Sequence, residues 1–357
     1  MRNAGLIIGC LIIMIFPSGS ASASSADREI ATREIEAIDQ FGGLDVPEVQ
    51  MFDHPVDLTV GPDGRISVLD SRAGNIKIFS AEGEYLRTIS REGSGPGEFK
   101  RPWIIQSLAD HDLAVADCGN GRVQILSDDG EYREGFKVPI SYGSGMAFDE
   151  AGNLCVNSGA FRSQTAVVIY CRDGEDPRRF GELEGKIFDY YDFTLIRKQI
   201  KDGRIPETGK DEFTPAVDLE GRILAVYRWQ RKLKLFSPEG RLLRTIPLQA
   251  PECDEIERAF REENRKLSNR PNVYTPLRYV QDAVADGQGR WYVLLKVPDR
   301  MTIYVFDHEG EFQCRLLGVE DEISRVALDE TRESVQIIAL GSESHLIYRL
   351  SLGVRHL

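Results

Sequence analysis

The sequence predicts an all-β protein, a six-bladed β-propeller of four-stranded antiparallel blades. Three observations lead to this prediction. A unit of roughly forty to fifty residues, with four short apolar runs between Asp, Gly and Asn turns, recurs along the chain. The turn after its first strand occurs six times, but the turn before its fourth strand occurs only five times. We therefore expect a strand between Glu29 and Asp39 to complete the last blade and close the ring.

The repeat is clearest in the first two units, where the run Ile76 to Phe79 aligns with Val123 to Leu126. The first turn recurs with Gly or Asp in nearly every copy: at 62–64, 110–112, 150–152, 219–221, 287–289 and 330–332. The later turn recurs around one glycine: Gly83, Gly130, Gly174, Gly240 and Gly310. A recurring four-stranded unit buries its two faces only against its neighbours, which is typical of a propeller.

Residues 1–23 are typical of an export signal. Arg2 precedes the apolar run Leu6 to Phe16, and Ala21 to Ala23 match an A-x-A cleavage site. A lipoprotein signal at Cys10 is the alternative, but the apolar run continues beyond Cys10, which disfavours it. We expect a mature chain of residues 24–357, one propeller domain, located in the periplasm or outside the cell.

The composition narrows the classes of partner. The formal net charge of -13 gives no basic surface for nucleic acid, so we expect no nucleic-acid partner. No segment of the mature chain is long and apolar enough to span a bilayer. We expect a monomer whose partner is a protein, a carbohydrate or another small molecule.

Cysteine spacing excludes two kinds of site. Cleavage leaves five cysteines without any C-x-x-C pair, so neither a zinc ribbon nor a thioredoxin-type motif is present. Cys155 and Cys171 could pair across a hairpin in an exported protein. The alternative is that they are small buried apolar residues.

One blade resembles a known repeat. Gly93 to Phe99 reads G-S-G-P-G-E-F, and Ala116 to Arg122 reads A-D-C-G-N-G-R. Both segments, in this order, are similar to the NHL repeat, whose blades are joined by a crossing rich in G-x-G-P-G-x-F, with A-D-x-G-N-x-R before the third strand. The resemblance covers about a quarter of the chain well. It implies a six-bladed propeller and fixes no function.

Two insertions point to the functional face. Residues 181–212 and 249–276 both lie between blades, and strand alternation places such crossings on the same face as the turn after each second strand. We expect a helix in each, at Ile196 to Lys201 and Glu252 to Leu267. Tyr190 and Tyr191 in the first insertion could form a ligand wall. The alternative is that they attach the insertion to the propeller rim.

Four further residues are candidates for binding a ligand on this face: Trp103, Arg122, Arg228 and Trp229. Arg122 could reach an anionic ligand, or it could pair with a carboxylate of a neighbouring blade. Trp103 lies at the start of an inner strand and could line the central channel, or it could belong to the core. Asp117 and Asn120 are expected to bond their own backbone, as such turn residues do.

Catalytic chemistry has little support in the residues. His54 is the one histidine at the start of an inner strand, so a multi-histidine zinc site is not assembled there. A calcium ion held by Asp57, Gln281 and channel carbonyls stays open, because hard cations need only oxygen ligands. Otherwise we expect no cofactor. No G-x-S-x-G elbow, P-loop or dinucleotide fingerprint occurs in the required strand-to-helix context.

The leading functional hypothesis is an exported, non-catalytic module that binds a ligand or a protein through the face carrying the insertions. The alternative is a metal-dependent lyase or lactonase that works at the central channel. A third hypothesis is a structural component of a surface assembly.

Overall fold

Six β-sheets surround a central channel, which confirms the predicted six-bladed β-propeller. The computed structural model describes residues 30–158, 165–185, 192–270, 272–332 and 334–352. The predicted export signal and Cys10 lie outside these residues. The chain divides into Met1–Ile30, of which only Ile30 is described, and Ala31–Leu357, which forms the propeller.

The first half of the chain provides the closing strands and blades one to three. The N-terminal strands are β1 (Thr32–Glu34) and β2 (Ala37–Gly42), followed by a 3₁₀ turn at Glu48–Gln50. Blade one contains β3 (Pro55–Val60), β4 (Ile66–Asp70), β5 (Asn75–Phe79) and β6 (Tyr85–Ile89). The crossing to blade two contains β7 (Arg91–Glu92) and β8 (Glu98–Phe99). Blade two contains β9 (Pro102–Ser107), β10 (Leu113–Asp117), a 3₁₀ turn at Cys118–Asn120, β11 (Arg122–Leu126) and β12 (Tyr132–Lys137). Blade three contains β13 (Met146–Phe148), β14 (Leu154–Asn157), β15 (Val167–Tyr170) and β16 (Arg178–Phe180).

The second half provides blades four to six and two helices. The first insertion contains α1 (Phe193–Lys201) and a 3₁₀ turn at Glu207–Gly209. Blade four contains β17 (Phe213–Val217), β18 (Ile223–Tyr227), β19 (Lys232–Phe236) and β20 (Leu242–Pro247). The second insertion contains α2 (Glu252–Lys266). Blade five contains β21 (Val280–Ala285), β22 (Trp291–Leu295), β23 (Thr302–Phe306) and β24 (Phe312–Leu317). Blade six contains β25 (Ile323–Asp329), β26 (Gln336–Gly341) and β27 (Leu346–Ser351).

The ring closes through the N-terminal strand β2. β2 pairs antiparallel with β27, with Phe41 opposite Ile347, so β2 is the outer strand of blade six. At the channel, the inner strand β25 lies beside β3 of blade one. The predicted closing segment, between Glu29 and Asp39, is placed too early, because the side chain that reaches blade one is Phe41, whose ring centroid is 5.0 Å from that of Phe79.

Strand β1 was not predicted. It pairs in parallel with β24 and gives blade five a fifth strand, with Thr32 opposite Arg315. Its three residues are polar and exposed, so no alternation of apolar side chains marks the strand in the sequence. Ile35, between β1 and β2, is buried in the seam between blades five and six. The N-terminal segment therefore attaches to two neighbouring blades.

The hydrophobic core lies between the blades. Six clusters of buried apolar residues occupy the six seams of the ring, one cluster to each seam, within the described part of the chain. The central strands of each blade are almost fully buried, because both of their faces pack against neighbouring blades. This explains why these strands read as short continuous apolar runs.

The two insertions contact each other on one face. Asp192 accepts a hydrogen bond from the backbone N–H of Leu195 and caps α1. Arg197 of α1 donates to the carbonyls of Ser268 and Arg270, just beyond the end of α2, at 2.7 and 2.5 Å. Glu252, at the buried start of α2, accepts from the Tyr304 hydroxyl at 2.8 Å. Both predicted helices are thus present, and α1 begins three residues before the predicted Ile196.

The glycines of the later turn receive side chains from neighbouring blades. Gly83 has a φ of 87°, and an added Cβ would lie 2.5 Å from Cδ1 of Phe41. Gly130, Gly240 and Gly310 hold Ile89, Phe180 and Ile246 in the same way, each from the outer strand of the preceding blade. Gly174, at the equivalent turn of blade three, has a φ of 81°, and no atom of the described residues lies within 4 Å of an added Cβ.

We expect Gly83→Ala to lower the free energy of unfolding by about 2–4 kcal/mol, because left-handed strain and a clash with Phe41 add together. Gly174→Ala keeps the strain without the clash, so its expected cost is about 1–2 kcal/mol. Urea denaturation of both variants measures the difference. Equal losses would show that the contact between Phe41 and Gly83 does not help to close the ring.

Candidate functional site

Side chains from several blades meet where the central channel opens on the insertion face, which is formed by the crossings and by the turn after each second strand. We call this group the channel mouth: His54, Arg101, Trp103, Tyr142, Arg228 and Arg325. His54 and Arg101 immediately precede inner strands, and Tyr142 lies in the crossing from blade two to blade three. Inner strands start at the channel, so residues far apart in sequence come together here.

Tyr142 is at the centre of the exposed part of the channel mouth. Its hydroxyl is 3.1 Å from Nε2 of His54, within hydrogen-bond distance. Cζ of Arg101 lies 4.7 Å from the centroid of its ring, which is a cation–π distance. The Trp103 ring lies on another side of Tyr142, with 4.3 Å between the two centroids. An aromatic surface between a histidine and an arginine is therefore accessible from the insertion face.

Trp103 connects this exposed layer to the interior. Its Nε1 donates to the carbonyl of Ser144 at 3.1 Å, so its one polar group is satisfied. Cζ of Arg325 lies 5.2 Å from its ring centroid. Trp103 also packs against apolar residues of both adjoining seams. It combines the two alternatives considered from the sequence, because it lines the channel and also belongs to the edge of the core.

Arg101 is held in an unfavourable backbone conformation. Its φ is 49°, in the left-handed region, and it precedes Pro102, which further restricts its backbone. The preceding residue is fixed on both sides, since Lys100 N–H donates to Asp117 and the Lys100 carbonyl accepts from Gly119. Such conformations cost about 1–3 kcal/mol and cluster at functional sites. The strain places an exposed guanidinium beside Tyr142.

A charged cluster lies below the mouth, at one level of three adjacent inner strands. Asp57 of blade one, Asp282 of blade five and Arg325 of blade six each follow a β-bulge at the start of their strand. Nε of Arg325 is 3.3 Å from Oδ1 of Asp57. Oδ2 of Asp57 accepts from the Ile105 N–H at 2.8 Å, and Asp282 accepts from the Val326 N–H at 2.9 Å. Each carboxylate thus joins neighbouring blades, and Asp57 also pairs with the arginine.

Burial governs the protonation of this cluster. It raises the pKa of Asp57 to about 7, although the Arg325 guanidinium acts in the opposite direction. The pKa of Asp282 is also raised, again by burial, with Arg325 opposing. Burial disfavours the charged carboxylate, and the guanidinium only partly compensates for the lost hydration. Near neutral pH the cluster therefore carries less negative charge than two ordinary aspartates would.

Arg228 approaches the channel from blade four. It is buried, its Nε donates to Thr214 Oγ1 at 3.1 Å, and its Nη1 donates to the Gly143 carbonyl at 3.3 Å. Thr214 is at the same level of its inner strand as Asp57 is in blade one. Burial raises the pKa of Asp282, and Arg228 acts in the opposite direction, so the charge of Arg228 influences the neighbouring blade five.

Arg122 is engaged within its own blade. Its Nε donates to buried Asp117 at 3.0 Å, and its Nη2 donates to the carbonyls of Gly95 and Glu98 at 2.7 and 3.0 Å. Asn120 also donates to Asp117, at 2.8 Å. The segments that resemble the NHL repeat thus hold the Gly93 to Phe99 crossing against blade two. The carboxylate that pairs with Arg122 belongs to blade two and not, as the sequence suggested, to a neighbouring blade.

Trp229 is buried beneath the insertions. Its ring lies against Gly209 and meets Phe260 of α2 edge-on, with centroids 6.0 Å apart. Its Nε1 donates to Glu212 at 3.1 Å. Tyr190 and Tyr191 lie outside the described residues, so their predicted role as a ligand wall stays a prediction. Of the six residues predicted to bind a ligand, Trp103 and Arg228 therefore contribute to the channel mouth.

The cysteines are unpaired in the described structure. The hairpin register places Cys155 opposite Ile169, so Cys171 is not its cross-strand neighbour. Burial raises the pKa of the Cys155 thiol to about 12, which makes it a poor nucleophile. Cys155 therefore behaves as a small buried apolar residue.

Possible metal ligands and a second cleft bear on the choice of the candidate site. Among the described residues, no group of three or more His, Cys, Asp and Glu side chains is arranged to hold a metal ion. A small cleft opens between blades one and two on the opposite face, where Arg65 bridges Asp63 and Asp128 at 2.5 Å each. Because these charges are already paired, the channel mouth is the stronger candidate site. No helix within the described ranges is long and apolar enough to cross a membrane.

Comparison with known proteins supports the fold. The profile of the DUF5128 family, described as a 6-bladed beta-propeller, matches residues 57–151, which are 95 of the 357 residues. The matched residues include both segments that resemble the NHL repeat. The match supports a six-bladed propeller and does not confirm the NHL family. No curated protein sequence matches the chain.

Several solved structures share the architecture at low identity. A DUF4221 family member from Bacteroides vulgatus has a TM-score of 0.56 and 10% identity over 90% of this chain and 98% of its own. Virginiamycin B lyase from Staphylococcus aureus has a TM-score of 0.50 and 9% identity, over 88% of this chain and 98% of its own. A gluconolactonase from Xanthomonas campestris has a TM-score of 0.50 and 10% identity, over 84% of this chain and 87% of its own. At these identities the similarity establishes the fold alone.

Proposed function

We propose that this chain is a non-catalytic binding module that recognises a ligand or a protein through the channel mouth on the insertion face. The observation that carries the proposal is the group formed by Tyr142, His54, Arg101 and Trp103. It offers an aromatic surface and charged donors at the opening of a channel, where binding sites of ring-shaped folds are commonly formed. We also propose that the chain is exported, on the basis of residues 1–23.

The state of the buried carboxylates favours binding over catalysis. One oxygen of Asp57 accepts from a backbone N–H, and the other faces the guanidinium of Arg325. A metal ion at this position would meet a positive charge that is already in place, so Asp57 does not fit the calcium site considered above. Within the described residues, Gln281 Oε1 is buried without a hydrogen-bond partner. It would be the one remaining side-chain oxygen of that site, so channel carbonyls would have to supply most of the six to eight ligands that calcium takes.

The proposal is tested by retention on the immobilised full chain. Proteins and small molecules retained from an extract of the source cells are identified by mass spectrometry, using the wild type, Tyr142→Ala and Tyr132→Ala as baits. Tyr132 is an exposed tyrosine at the start of the outer strand of blade two, so its loss is a matched control. We expect Tyr142→Ala to lower retention of at least one species by about tenfold, which corresponds to roughly 1.4 kcal/mol.

The control determines how the result is read. Retention that falls on Tyr142→Ala and is unchanged on Tyr132→Ala supports the channel mouth as the binding site. If every species bound by the wild type is bound equally by Tyr142→Ala, the proposed site is wrong.

A metal-dependent lyase or lactonase is the second candidate. The specific observation in its favour is Asp57, whose pKa of about 7 is in the range expected of a general base. Metal analysis of the purified protein separates the two candidates. A stoichiometric divalent ion that is lost in Asp57→Asn would favour the enzyme, whereas absence of a bound ion after purification without chelators would favour the binding module.

A further inference from the structure

We infer that the ligand of the channel mouth is a small molecule carrying one carboxylate, which the guanidinium of Arg101 binds through paired N–H donors. This inference rests on the proposed function and adds the chemical class of the ligand. Three features of the channel mouth point to such a ligand: the donors of Arg101, the balance of charge, and the aromatic surface beside Arg101.

The donors of Arg101 are available to a ligand. The side chain is exposed, and within the described ranges it makes no ion pair and no hydrogen bond. The cation–π contact of its guanidinium with Tyr142 uses the positive charge and no N–H group. Guanidinium groups present a planar set of donors that matches a carboxylate at two points. The strained backbone at Arg101 fixes where this set of donors begins.

The balance of charge favours a singly charged ligand. Arg325 is already paired with Asp57, and Arg228 is engaged by Thr214 and the Gly143 carbonyl. Arg101 is thus the exposed cation of the mouth that no described carboxylate compensates. A single exposed guanidinium without a carboxylate partner matches one carboxylate group at two points, which suits a monoanion. The net charge of the whole chain, -13, also disfavours large polyanions.

The aromatic surface indicates what carries the carboxylate. The ring centroids of Tyr142 and Trp103 are 4.3 Å apart, and the Tyr142 ring lies beside Arg101. A ring attached to the carboxylate would therefore contact these side chains. Both a sugar ring and an aromatic ring pack well on such side chains. His54 Nε2, 3.1 Å from the Tyr142 hydroxyl, adds a polar group at the edge of this surface. The shared chemistry is a ring bearing one carboxylate.

Calorimetric titration of the full chain tests the inference with two matched pairs of probes. D-glucuronate is compared with D-glucose, and 4-hydroxybenzoate with 4-hydroxybenzamide. Inorganic phosphate is titrated as well, to compare a phosphate with the two carboxylates. We expect at least one carboxylate to bind at least tenfold more tightly than its neutral match and more tightly than phosphate. The pair that binds distinguishes a sugar acid from an aromatic acid.

Three variants assign the effect to Arg101. Arg101→Gln is expected to weaken binding of the carboxylate probe tenfold or more. Arg133→Gln removes an exposed arginine from the outer strand of the same blade and is expected to weaken binding less than twofold. Arg101→Gly also removes the guanidinium but relieves the left-handed backbone, so its fold is retained. Weakened binding in both Arg101 variants cannot then be attributed to unfolding.

Several outcomes would overturn the inference. These are equal binding of a carboxylate and its neutral match, tighter binding of phosphate, no binding of either carboxylate, or unchanged affinity in Arg101→Gln. None of them decides the proposed function, which depends on the retention difference between Tyr142→Ala and Tyr132→Ala. If that difference is absent as well, the binding site itself is wrong.

Discussion

Arg325→Met is expected to lower the free energy of unfolding by about 3–5 kcal/mol at pH 8, because it leaves buried carboxylates without their cation. Asp57 would keep its backbone hydrogen bond but lose the guanidinium 3.3 Å from its other oxygen. The Trp103 ring would lose its cation–π contact with the same group. Urea denaturation at pH 5 and at pH 8 measures the effect.

The dependence on pH distinguishes lost charge from lost packing. Burial raises the folded-state pKa of Asp57 to about 7, above the value of about 3.9 for an unfolded aspartate. Stability from this group is therefore complete below about pH 4 and is lost as the pH rises to about 7. Without Arg325 the folded-state pKa rises further, so the variant loses more stability at pH 8 than at pH 5.

Two additional variants complete this test. Asp57→Asn combined with Arg325→Met should recover a large part of the loss at pH 8, because the amide can still accept from the Ile105 N–H. Arg133→Met changes an exposed arginine and should cost less than about 0.5 kcal/mol. Equal losses at pH 5 and pH 8 would show that Arg325 acts through packing and not through its charge.

Removal of residues 1–43 is expected to cost about 5 kcal/mol or more, because it deletes the outer strand of blade six. The truncation removes buried Ile35 from one seam and half-buried Phe41 from another, and full burial of such a side chain is worth about 1.5–3 kcal/mol. It also leaves strand β27 with an unpaired edge, which promotes aggregation. Thermal unfolding and light scattering measure both effects.

A peptide added in trans provides the control for the truncation. A synthetic peptide of residues 31–43 should restore cooperative unfolding to the truncated chain, because pairing with β27 needs no covalent connection. The same peptide with Phe41→Ala should restore it less well, since the contact with Phe79 is lost. Equal rescue by both peptides would contradict the role given to Phe41 in ring closure.

Much of the fold could be predicted because the turn residues recur at equivalent positions of each blade. Residues such as Gly83 and Gly174 adopt positive φ angles that other residues avoid, so they mark the same turn in each blade. The deficit of one late turn correctly indicated that the N-terminal segment completes the last blade. Strand β1 escaped prediction because its exposed polar residues carry no periodic signal.

The channel mouth was harder to predict, since its residues belong to no local motif. Asp57 and Arg325 lie near opposite ends of the chain, and only ring closure places them on adjacent strands. Arg101 and Tyr142 lie in crossings between blades, where no periodic pattern marks them as site residues. The motif that did stand out, with Asp117, Asn120 and Arg122, serves to hold the crossing in place. Conspicuous sequence features can mark the scaffold, whereas the site arises from topology.

The seams of the ring are not equally filled at their outer rim. Within the described residues, four seams have a bulky side chain that packs against a turn glycine of the next blade. At the seam between blades two and three, no described side chain packs against the equivalent Gly174. Local opening of a propeller is expected at the seam whose outer rim has the fewest contacts, because opening there breaks the fewest interactions. Local opening of the ring should therefore begin at the outer rim of this seam, on the face opposite the channel mouth, so the rim can open while the candidate site stays assembled.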